Sequence, residues 1–509
     1  MKASAILALD IGTSSTRSAI YDAKGNRLMV TTAQFSYPLV TDQDGRAELR
    51  PADIERAVGL ALEQTLKVWR KLKSPLPIAG IGVSCFWHSL LGLDAKGRAI
   101  TPIYTWADSR CRAEAQLLRK NKGEELLHAR TGCMARTSFW PAKLLWLRKT
   151  NPGLFRKVAR WVSPAEWIQE RWCGGATVSL SMASGTGLLD GRTLRWHQLL
   201  LRRCGLDEVR LNPISDAPAM ISKANARRLP ELAKTPWYPA IGDGVASNLG
   251  SGATKPGIAA INVGTSAALR VVVATKPAAN EPLAPFGLFC YRVDSGRRLL
   301  GGAVSNAGNL WAWALRELKL PTDPAVIEKL LSQRSTPVEK LTLLPFWIAE
   351  RAPTWPEELP SAVIGITQAT SALDLLQALQ EATYHRLTRI GEGVERAAQR
   401  KLAFIVSGGI QKSPGALQRL ANVLGRPVYA SSEPEASLRG AACFAMEKLG
   451  MKVTAPKLGR AIRPDAKAAR AYAKARQEQT RMEKLLKEAN IASIYDDSHC
   501  GQDRTKFPN

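Results

Sequence analysis

Apolar and polar positions alternate in short runs at the start of the chain. Residues 7–17 read LALDIGTSSTR, in which an apolar run reaches an Asp, turns through Gly-Thr-Ser and resumes with alternating residues. This pattern predicts a strand, a tight turn and a second strand. A second turn at 22–26 and a further run at 27–32 extend the prediction to an antiparallel meander.

Longer segments carry apolar residues at the spacing of amphipathic helices. The clearest are residues 54–72 and 373–400, and the segment 465–492, rich in Ala, Lys, Arg and Glu, predicts a terminal helix. Residues 496–509 are predicted to be frayed. Because strands and helices occur in both halves, the sequence predicts an α/β fold.

The opening turn is repeated 252 residues later. Residues 259–270 read AAINVGTSAALR, so that Asn262, Gly264 and Thr265 align with the Asp, Gly and Thr of the first copy. A period of this length predicts two similar domains, since solenoid repeats are much shorter. Chance similarity remains an alternative explanation, because only four or five positions match.

Composition narrows the class of protein. The 509 residues are 45% hydrophobic and 23% charged, which is typical of a globular protein of two large domains. The net charge of +27 suits nucleic acid or anionic substrates, but it is spread along the whole chain, so we expect no nucleic-acid partner. The eight cysteines are scattered and are expected to be reduced and mostly buried.

The sequence predicts neither a signal peptide nor a membrane helix. The apolar run at the N-terminus is too short for a signal peptide, and no stretch reaches the length of a membrane helix. We therefore expect a cytoplasmic protein without a membrane partner.

A Gly-Thr-Ser bend between strands is suited to binding phosphate. Its backbone amides can form an anion nest, the hydroxyls of Thr13, Ser14 and Ser15 can donate hydrogen bonds, and Arg17 adds charge. Asp10 stands where a carboxylate would hold Mg²⁺ at the phosphates of ATP. One copy alone is equally compatible with an ordinary hairpin. Two copies facing a cleft would hold the β- and γ-phosphates.

Paired glycines mark a candidate surface for adenine. Gly408 and Gly409 follow the apolar run 402–407 and precede an amphipathic helix, so a flat ring could lie against bare backbone. A plain strand-to-helix turn remains the alternative. The stretch GGAVSNAGN at 301–309 offers a second glycine surface, and the absence of any Gly-Lys dipeptide excludes a Walker-type loop.

Asp243 is the candidate base. It lies between two glycines at the head of a segment of small residues that predicts a helix, shortly before the second Gly-Thr-Ser turn. Phosphoryl transfer to an alcohol requires aligned oxygens, neutralised phosphate charge and one group that accepts the hydroxyl proton. The alternative role for Asp243 is that of a helix N-cap.

An ordered set of motifs resembles the FGGY carbohydrate kinases, which share their ATPase fold with actin and the heat-shock chaperones. The set comprises the two Gly-Thr-Ser turns, IGDGVASNLGSGA at 241–253, PFWIAERAPTW at 345–355, and VSGGIQKSP with EASLRGAA near the end. The resemblance runs from about residue 5 to residue 450. It implies two ribonuclease-H-like domains flanking a cleft for nucleotide and substrate.

The resemblance also implies domain bounds and residue roles. We expect a substrate and phosphate domain over 1–252, a nucleotide domain over 253–450 and a helical tail over 451–509. ATP and Mg²⁺ would be the cofactors, Asp243 the catalytic base and Asp10 the metal ligand. The residues expected to contact phosphate or nucleotide are Thr13, Ser14, Ser15, Arg17, Gly264, Thr265, Gly308, Gly408, Gly409 and Ser413.

Residues 82–94 and 104–110 look like the gluconate-kinase branch of this family. Trp87, His88 and Asp108 would contact the sugar together with Asp243, although a buried structural role remains the alternative for His88. For Trp106 we expect a position in the core. The acceptor is a small sugar or sugar acid, and a homodimer is left open.

Gluconate is the favoured acceptor, because its carboxylate suits a basic pocket. Phe86 and Trp87 stand where xylulose kinases tend to have Met-Gln, and residues 135–143 lack the Tyr of glycerol kinases. Ala312 and Ala349 also depart from the family pattern. A pentulose, a heptulose or erythritol remains an alternative acceptor, and so does a non-catalytic ATP-dependent clamp of the same fold.

Overall fold

The computed structural model describes residues 4–120, 122–274, 281–356 and 359–489. The predicted frayed end at 496–509 lies outside these residues. The strands are β1 Ala5–Ile11, β2 Ser15–Tyr21, β3 Ala33–Ser36, β4 Val40–Thr41, β5 Ala47–Leu49, β6 Ile78–Cys85, β7 Leu91–Leu93, β8 Ile103–Tyr104, β9 Arg160–Val162, β10 Leu189–Asp190, β11 Arg195–Trp196, β12 Ala219–Met220, β13 Pro236–Trp237, β14 Ile241–Gly242, β15 Ile258–Val263, β16 Ala267–Val273, β17 Phe289–Arg292, β18 Arg298–Val304, β19 Thr342–Leu344, β20 Ala362–Ile364, β21 Ala403–Gly408 and β22 Val428–Ala430.

The helices are α1 Pro51–Trp69, α2 Arg112–Arg119, α3 Gly123–Thr131, α4 Trp140–Thr150, α5 Pro152–Lys157, α6 Pro164–Cys173, α7 Leu180–Ser184, α8 Gln198–Cys204, α9 Lys223–Arg228, α10 Asp243–Ser251, α11 Gly308–Glu317, α12 Pro324–Ser332, α13 Ala372–Ala398, α14 Pro414–Leu424, α15 Ala436–Lys448 and α16 Ala466–Glu488. Helices α1, α13 and α16 confirm the three helices that the apolar spacing predicts.

The chain forms two compact units, and neither is a continuous stretch. The first contains residues 1–260, 270–300 and 432–458, and the second contains 261–269, 301–431 and 459–509. The segment 432–458 therefore belongs with the first unit, whereas the sequence-based ranges place it in the second domain and the tail. The physical reason is helix α15 in this segment, which packs its apolar face on strands of the first sheet.

The first unit is built on a mixed sheet with the order β12-β13-β6-β1-β2-β3, and β14 also pairs with β6. Strands β1 and β2 are antiparallel and joined by the Gly-Thr-Ser bend, as predicted. The third strand of the meander begins at Ala33, later than the run at 27–32 suggests. A 3₁₀ turn at Met29–Thr31 precedes it, because the Thr31 hydroxyl accepts from the Ile20 amide at 3.0 Å in place of a strand partner.

Helix α15 contacts α10 and β6 at backbone distance. A Cβ on Gly440 would lie 1.7 Å from the Ala246 carbonyl oxygen, and one on Gly250 would lie 1.8 Å from that of Ala436. On the sheet side, a Cβ on Gly82 would lie 2.0 Å from the Ala441 carbonyl oxygen. Such approaches exclude every residue but glycine, so these glycines allow α15 to pack at backbone distance on α10 and β6.

The second unit is built on a sheet with the order β17-β18-β16-β15-β21-β22, of which β17 and parts of β15, β16 and β18 fall in the first unit. Helices α11, α12 and α13 enclose an apolar cluster around Leu310, Ile327 and Leu376. The terminal helix α16 packs on this unit through buried polar contacts, such as that from the Tyr472 hydroxyl to Glu381 Oε1 at 2.9 Å.

The seven cysteines in the described residues form no disulfide, and all but the half-buried Cys173 are buried. The prediction of reduced, mostly buried cysteines is confirmed for these seven. Across the same residues, the structure contains no helix with the length and apolar character needed to span a bilayer.

Candidate active site

Three parallel strands bring two carboxylates to one edge of the first sheet. Strands β1 and β14 pair with β6 from opposite sides, and both place a residue in register with Ser84: Asp10 from β1 and Ile241 from β14. Asp243 follows β14 directly as the first residue of α10. Because parallel strands end at the same edge, Asp243 lies close enough to Asp10 for its charge to raise the pKa of the Asp10 carboxyl.

Asp10 is buried, with 8% of its surface exposed. The pKa of its carboxyl is raised from 3.8 to about 6, chiefly by burial and also by the negative charges of Asp243 and Glu435, while Ser84 and Arg17 oppose this shift. A carboxylate that is disfavoured in this way gains from any cation that enters the site.

Asp243 is half-buried at the start of α10, and its Oδ1 accepts from the Gly244 amide at 2.8 Å. The N-cap position belongs to Gly242, so the alternative role of Asp243 as an N-cap is not observed. Burial raises the pKa of the Asp243 carboxyl, and the positive charge of Arg270 opposes this effect. The pKa therefore shifts towards values at which a carboxylate accepts protons well.

The first Gly-Thr-Ser bend is closed by a hydrogen bond from the Gly12 amide to the Ser15 carbonyl at 2.9 Å. The Ser14 side chain is exposed, and the Thr13 hydroxyl accepts from the Trp106 indole at 3.1 Å. Trp106 is 40% exposed, so the expectation that it lies in the core is wrong. Its indole reaches outward because Thr13 offers a hydrogen-bond partner at the bend.

Two further residues of this bend have partners within the protein. Ser15 is buried, and its hydroxyl accepts from Gln34 Nε2 at 3.2 Å. Arg17 lies opposite Asp10 in the hairpin and forms an ion pair with Glu435 at 3.0 Å. The Arg17 Nε is buried and has no hydrogen-bond partner among the described residues. The phosphate-binding roles of both residues stay predictions.

Trp87 occupies a slot made by glycines. A Cβ on Gly242 would lie 1.7 Å from its ring, and Cβ atoms on Gly185 and Gly244 would lie 2.4 Å and 2.7 Å from it. The indole donates to the Ser181 carbonyl at 3.1 Å, and the Tyr291 ring lies 4.7 Å away between centroids. Trp87 is thus fixed directly beneath the residues that flank Asp243.

His88 is held in a sparsely populated backbone conformation beside Trp87. Its φ is 67°, in the left-handed region that non-glycine residues rarely adopt. Its Nδ1 contacts the Gly185 carbonyl oxygen, and its ring lies 4.7 Å from Phe139 and 5.5 Å from Tyr291. His88 is half-buried, and its contact with a sugar stays a prediction.

Asp108 is fully engaged by the protein. Its carboxylate accepts from Arg110 Nη2 at 2.5 Å and from the Ala47 amide at 3.2 Å, and Arg110 also pairs with Glu48. These contacts hold the loop that carries Trp106. The structure therefore favours a positioning role for Asp108, and its direct contact with substrate stays a prediction.

The second Gly-Thr-Ser bend joins β15 and β16 in the second unit. The Gly264 amide donates to the Ser266 carbonyl at 2.9 Å, one residue nearer along the chain than the acceptor in the first copy, and Thr265 is exposed. A Cβ on Gly308 would lie 2.4 Å from the Gly264 carbonyl oxygen, and one on Gly408 would lie 2.2 Å from that of Val263. The predicted nucleotide-binding glycines are thus brought together around this bend.

A cavity of about 690 Å³ opens beside these glycines. Its lining includes Gly264, Gly308, Gly409 and Ser413 among mainly apolar side chains. The Ser413 hydroxyl caps α14 by accepting from the Ala416 amide at 2.9 Å, and it also contacts Glu328. Whether the two bends serve one triphosphate stays a prediction.

Four residues around the first carboxylate edge were missed by the sequence interpretation: Ser84, Arg270, Tyr291 and Glu435. Arg270 and Glu435 stand inside motifs quoted above, the second turn and EASLRGAA. Their position within a motif was the available signal. Ser84 had the same signal, since it lies in the segment 82–94 described above, whereas Tyr291 lies in none of these motifs.

Comparison with known proteins extends over nearly the whole chain. Residues 5–250 match the N-terminal domain of the FGGY family of carbohydrate kinases, and residues 259–448 match its C-terminal domain. A gluconokinase of Bacillus licheniformis is 26% identical over 87% of this chain and 88% of its own length. A xylulose kinase of Escherichia coli is 24% identical over 82% of this chain and 85% of its own length.

Solved structures show the same architecture. A gluconate kinase from Lactobacillus acidophilus superposes with a TM-score of 0.88 at 26% identity, over 97% of this chain and 100% of that one. A xylulose kinase from the same organism gives a TM-score of 0.87 at 26% identity, over the same shares. These matches confirm the predicted α/β fold of two ribonuclease-H-like domains. Because the two family domains together cover most of its length, the chain belongs to the FGGY family of carbohydrate kinases.

Proposed function

We propose that this carbohydrate kinase transfers the γ-phosphate of ATP to a hydroxyl of a sugar acid, with gluconate as the favoured acceptor and 6-phosphogluconate as the product. The observation that carries the proposal is the pair of carboxylates, Asp10 and Asp243, at the common end of β1, β6 and β14. Phosphoryl transfer requires a proton acceptor beside a site for phosphate and its cation.

Asp243 accepts the proton of the attacking hydroxyl. Its pKa is raised by burial, so the carboxylate is a better base than an exposed Asp. The first turn of α10 fixes it, and its second oxygen is free of the Gly244 contact. The hydroxyl oxygen then attacks phosphorus while the bond from phosphorus to the bridging oxygen of ADP breaks, and ADP leaves with the electron pair.

Each of the two repeated bends offers groups that bind phosphate. Thr13 and Ser14 present hydroxyls and backbone amides at the first bend, and Thr265 presents the same groups at the second. The adenosine would occupy the cavity lined by Gly308 and Gly409, where close-packed backbone leaves a flat surface.

The residues at the first bend also fit Mg²⁺. Mg²⁺ prefers carboxylate oxygens and keeps several waters, and Asp10 offers a buried carboxylate whose ionisation a cation would favour. No cluster of three metal-binding side chains occurs among the described residues, which agrees with a metal held partly by phosphate. When bound, the ion neutralises charge on the phosphates.

Gluconate is favoured over other acceptors by two observations. The gluconokinase and gluconate kinase relatives match the chain over nearly its full length. The Trp87 and His88 rings lie 6.0 Å apart between centroids near Asp243, and a polyhydroxylated chain suits such a combination of an aromatic ring and hydrogen-bonding groups. The similarity to xylulose kinases keeps a ketose as the second candidate acceptor.

An acceptor screen tests the proposal. ATP consumption is measured with gluconate, other aldonates, pentuloses, heptuloses, glycerol and erythritol, and the phosphorylated product is identified by mass spectrometry. The Asp243→Asn variant should lose about 10²- to 10⁴-fold in kcat while binding ATP as before. The matched control is Glu63→Gln, an exposed carboxylate paired with Arg228, which should keep full activity.

Two results would contradict the proposal. Turnover of neutral sugars with none of aldonates would remove the sugar-acid assignment. An Asp243→Asn enzyme with wild-type kcat would remove the assigned base.

A further inference from the structure

The positively charged side chain of Arg270 lies beside Asp243 in the first unit. Arg270 is in β16, and the Asn248 side chain donates to its carbonyl oxygen at 3.2 Å, which fixes its backbone against α10. A Cβ on Gly244 would lie 3.0 Å from the Arg270 Nε and 2.7 Å from the Trp87 ring. The guanidinium therefore lies next to the first turn of α10, which carries Asp243, and close to the Trp87 ring.

The Arg270 side chain is half-buried and has no protein partner among the described residues. It donates no hydrogen bond there, and no carboxylate lies within the 4.0 Å of an ion pair. A guanidinium carries five N–H donors and stays charged. Burial lowers its pKa, and the Asp243 and Tyr291 side chains oppose this effect. A half-buried charge without a partner has lost part of its hydration, so a ligand is the expected partner.

Buried arginines elsewhere in the same unit behave differently. Arg292 Nε donates to the Asp294 carbonyl at 3.1 Å, and Arg298 Nη1 donates to the Leu283 carbonyl at 3.0 Å. Arg439 donates to the carbonyls of Gly25, Gly250 and Thr454. These side chains hold the fold together through backbone oxygens, and Arg270 does not.

The site also needs a positive group if its acceptor is an anion. Asp10 and Asp243 place negative charge at one side of the acceptor site and would repel a carboxylate there. Arg270 would attract a carboxylate at the other side, with two parallel hydrogen bonds from its planar fork.

We propose that Arg270 binds the carboxylate of the acceptor and thereby sets the preference of the enzyme for sugar acids over neutral sugars. This inference rests on the proposed function of the site. It places the reacting hydroxyl at Asp243 and the carboxylate at Arg270, with the carbon chain lying over Trp87.

The test compares two acceptors that differ at one carbon. Gluconate carries a carboxylate where glucitol carries a hydroxymethyl group. The ratio of their kcat/KM values therefore measures the contribution of the carboxylate to acceptor preference. Arg270→Met removes the charge at similar length, and Arg270→Lys keeps the charge without the fork. The control is Arg171→Met, an exposed arginine paired with Glu55.

Arg270→Met should raise KM for gluconate about 100-fold, with kcat changed much less, because a charge-assisted contact is lost. Its kcat/KM for glucitol should stay within about threefold of wild type, so that the preference for the acid largely disappears. Arg270→Lys should retain part of the preference. Arg171→Met should match wild type with both acceptors.

Equal losses for gluconate and glucitol in both Arg270 variants would overturn the inference and assign Arg270 to the folding of the site or the tuning of Asp243. Unchanged KM for gluconate would overturn it as well. The wild-type acceptor profile is measured first, so an enzyme that ignores all aldonates refutes the proposed function before any variant is made. If the enzyme uses gluconate and the Arg270→Met variant keeps the wild-type preference for gluconate over glucitol, only the role of Arg270 is refuted.

Discussion

Replacing Asp10 with Asn should stabilise the ligand-free protein at neutral pH. Asp10 has a pKa raised from 3.8 to about 6, chiefly by burial. Between these two values the folded protein holds a proton that the unfolded chain has released. The free energy of unfolding therefore falls as pH rises through this window, and a pKa difference of about two corresponds to about 3 kcal/mol.

The Asn side chain has the same shape and does not ionise, so this loss should be absent from the variant. At pH 4 the two proteins should have similar stability. At pH 7.5 Asp10→Asn should be more stable by up to about 3 kcal/mol, or roughly 5–10 °C in the unfolding temperature of its unit. Enzymatic activity should fall at the same time, since the proposed metal ligand is lost.

The assay is thermal and urea unfolding of both proteins between pH 4 and pH 8, without nucleotide or divalent cation. Glu63→Gln serves as the control for removing a carboxylate at an exposed position. In the Asp243→Asn variant, the loss of stability with rising pH should occur at lower pH than in the wild type, because the Asp243 charge contributes to raising the Asp10 pKa. The reasoning is refuted if Asp10→Asn and wild type show the same pH dependence of stability.

Two glycine substitutions test the close contacts that position the sites. Gly440→Ala places a Cβ 1.7 Å from the Ala246 carbonyl oxygen and should destabilise the protein by about 1–3 kcal/mol in urea unfolding, with a fall in kcat as Asp243 shifts. Gly408 has a φ of 94°, and the Cβ of a Gly408→Ala variant would lie 2.2 Å from the Val263 carbonyl oxygen. This substitution should raise KM for ATP more than KM for the acceptor. The control is Gly175→Ala, where no atom lies within 4 Å of the added Cβ, and it should change neither stability nor KM. If Gly440→Ala and Gly408→Ala behave like this control, the proposed effects of their close contacts are wrong.

The local elements near the sites could be predicted from the sequence, because each rests on a few neighbouring residues. The two Gly-Thr-Ser bends form as expected, since alternating strands on either side leave glycine as the turn residue. The helix after Asp243 also forms, although its first residue is the Asp and its N-cap is Gly242. Spacing along the chain is sufficient for such features.

Features that depend on distant segments could not be predicted. The meander changes to a 3₁₀ turn because Thr31 contacts Ile20, and Trp106 turns outward because Thr13 offers it a partner. Arg270 reaches Gly244 only because β16 packs against α10, and no local pattern records that contact. Contacts between distant segments decide which side chains share a site, and the periodicity of the sequence does not predict these contacts.

The glycine contacts between α10 and α15 have a consequence for synthesis of the protein. Asp243 leaves the ribosome almost two hundred residues before Gly440, the residue on which its helix rests. A chain released shortly after residue 260 would have both carboxylates and no support for the turn that carries one of them. The nascent N-terminal segment therefore cannot complete its packing until α15 has been synthesised. We expect catalytic activity only when nearly all of the polypeptide has been made.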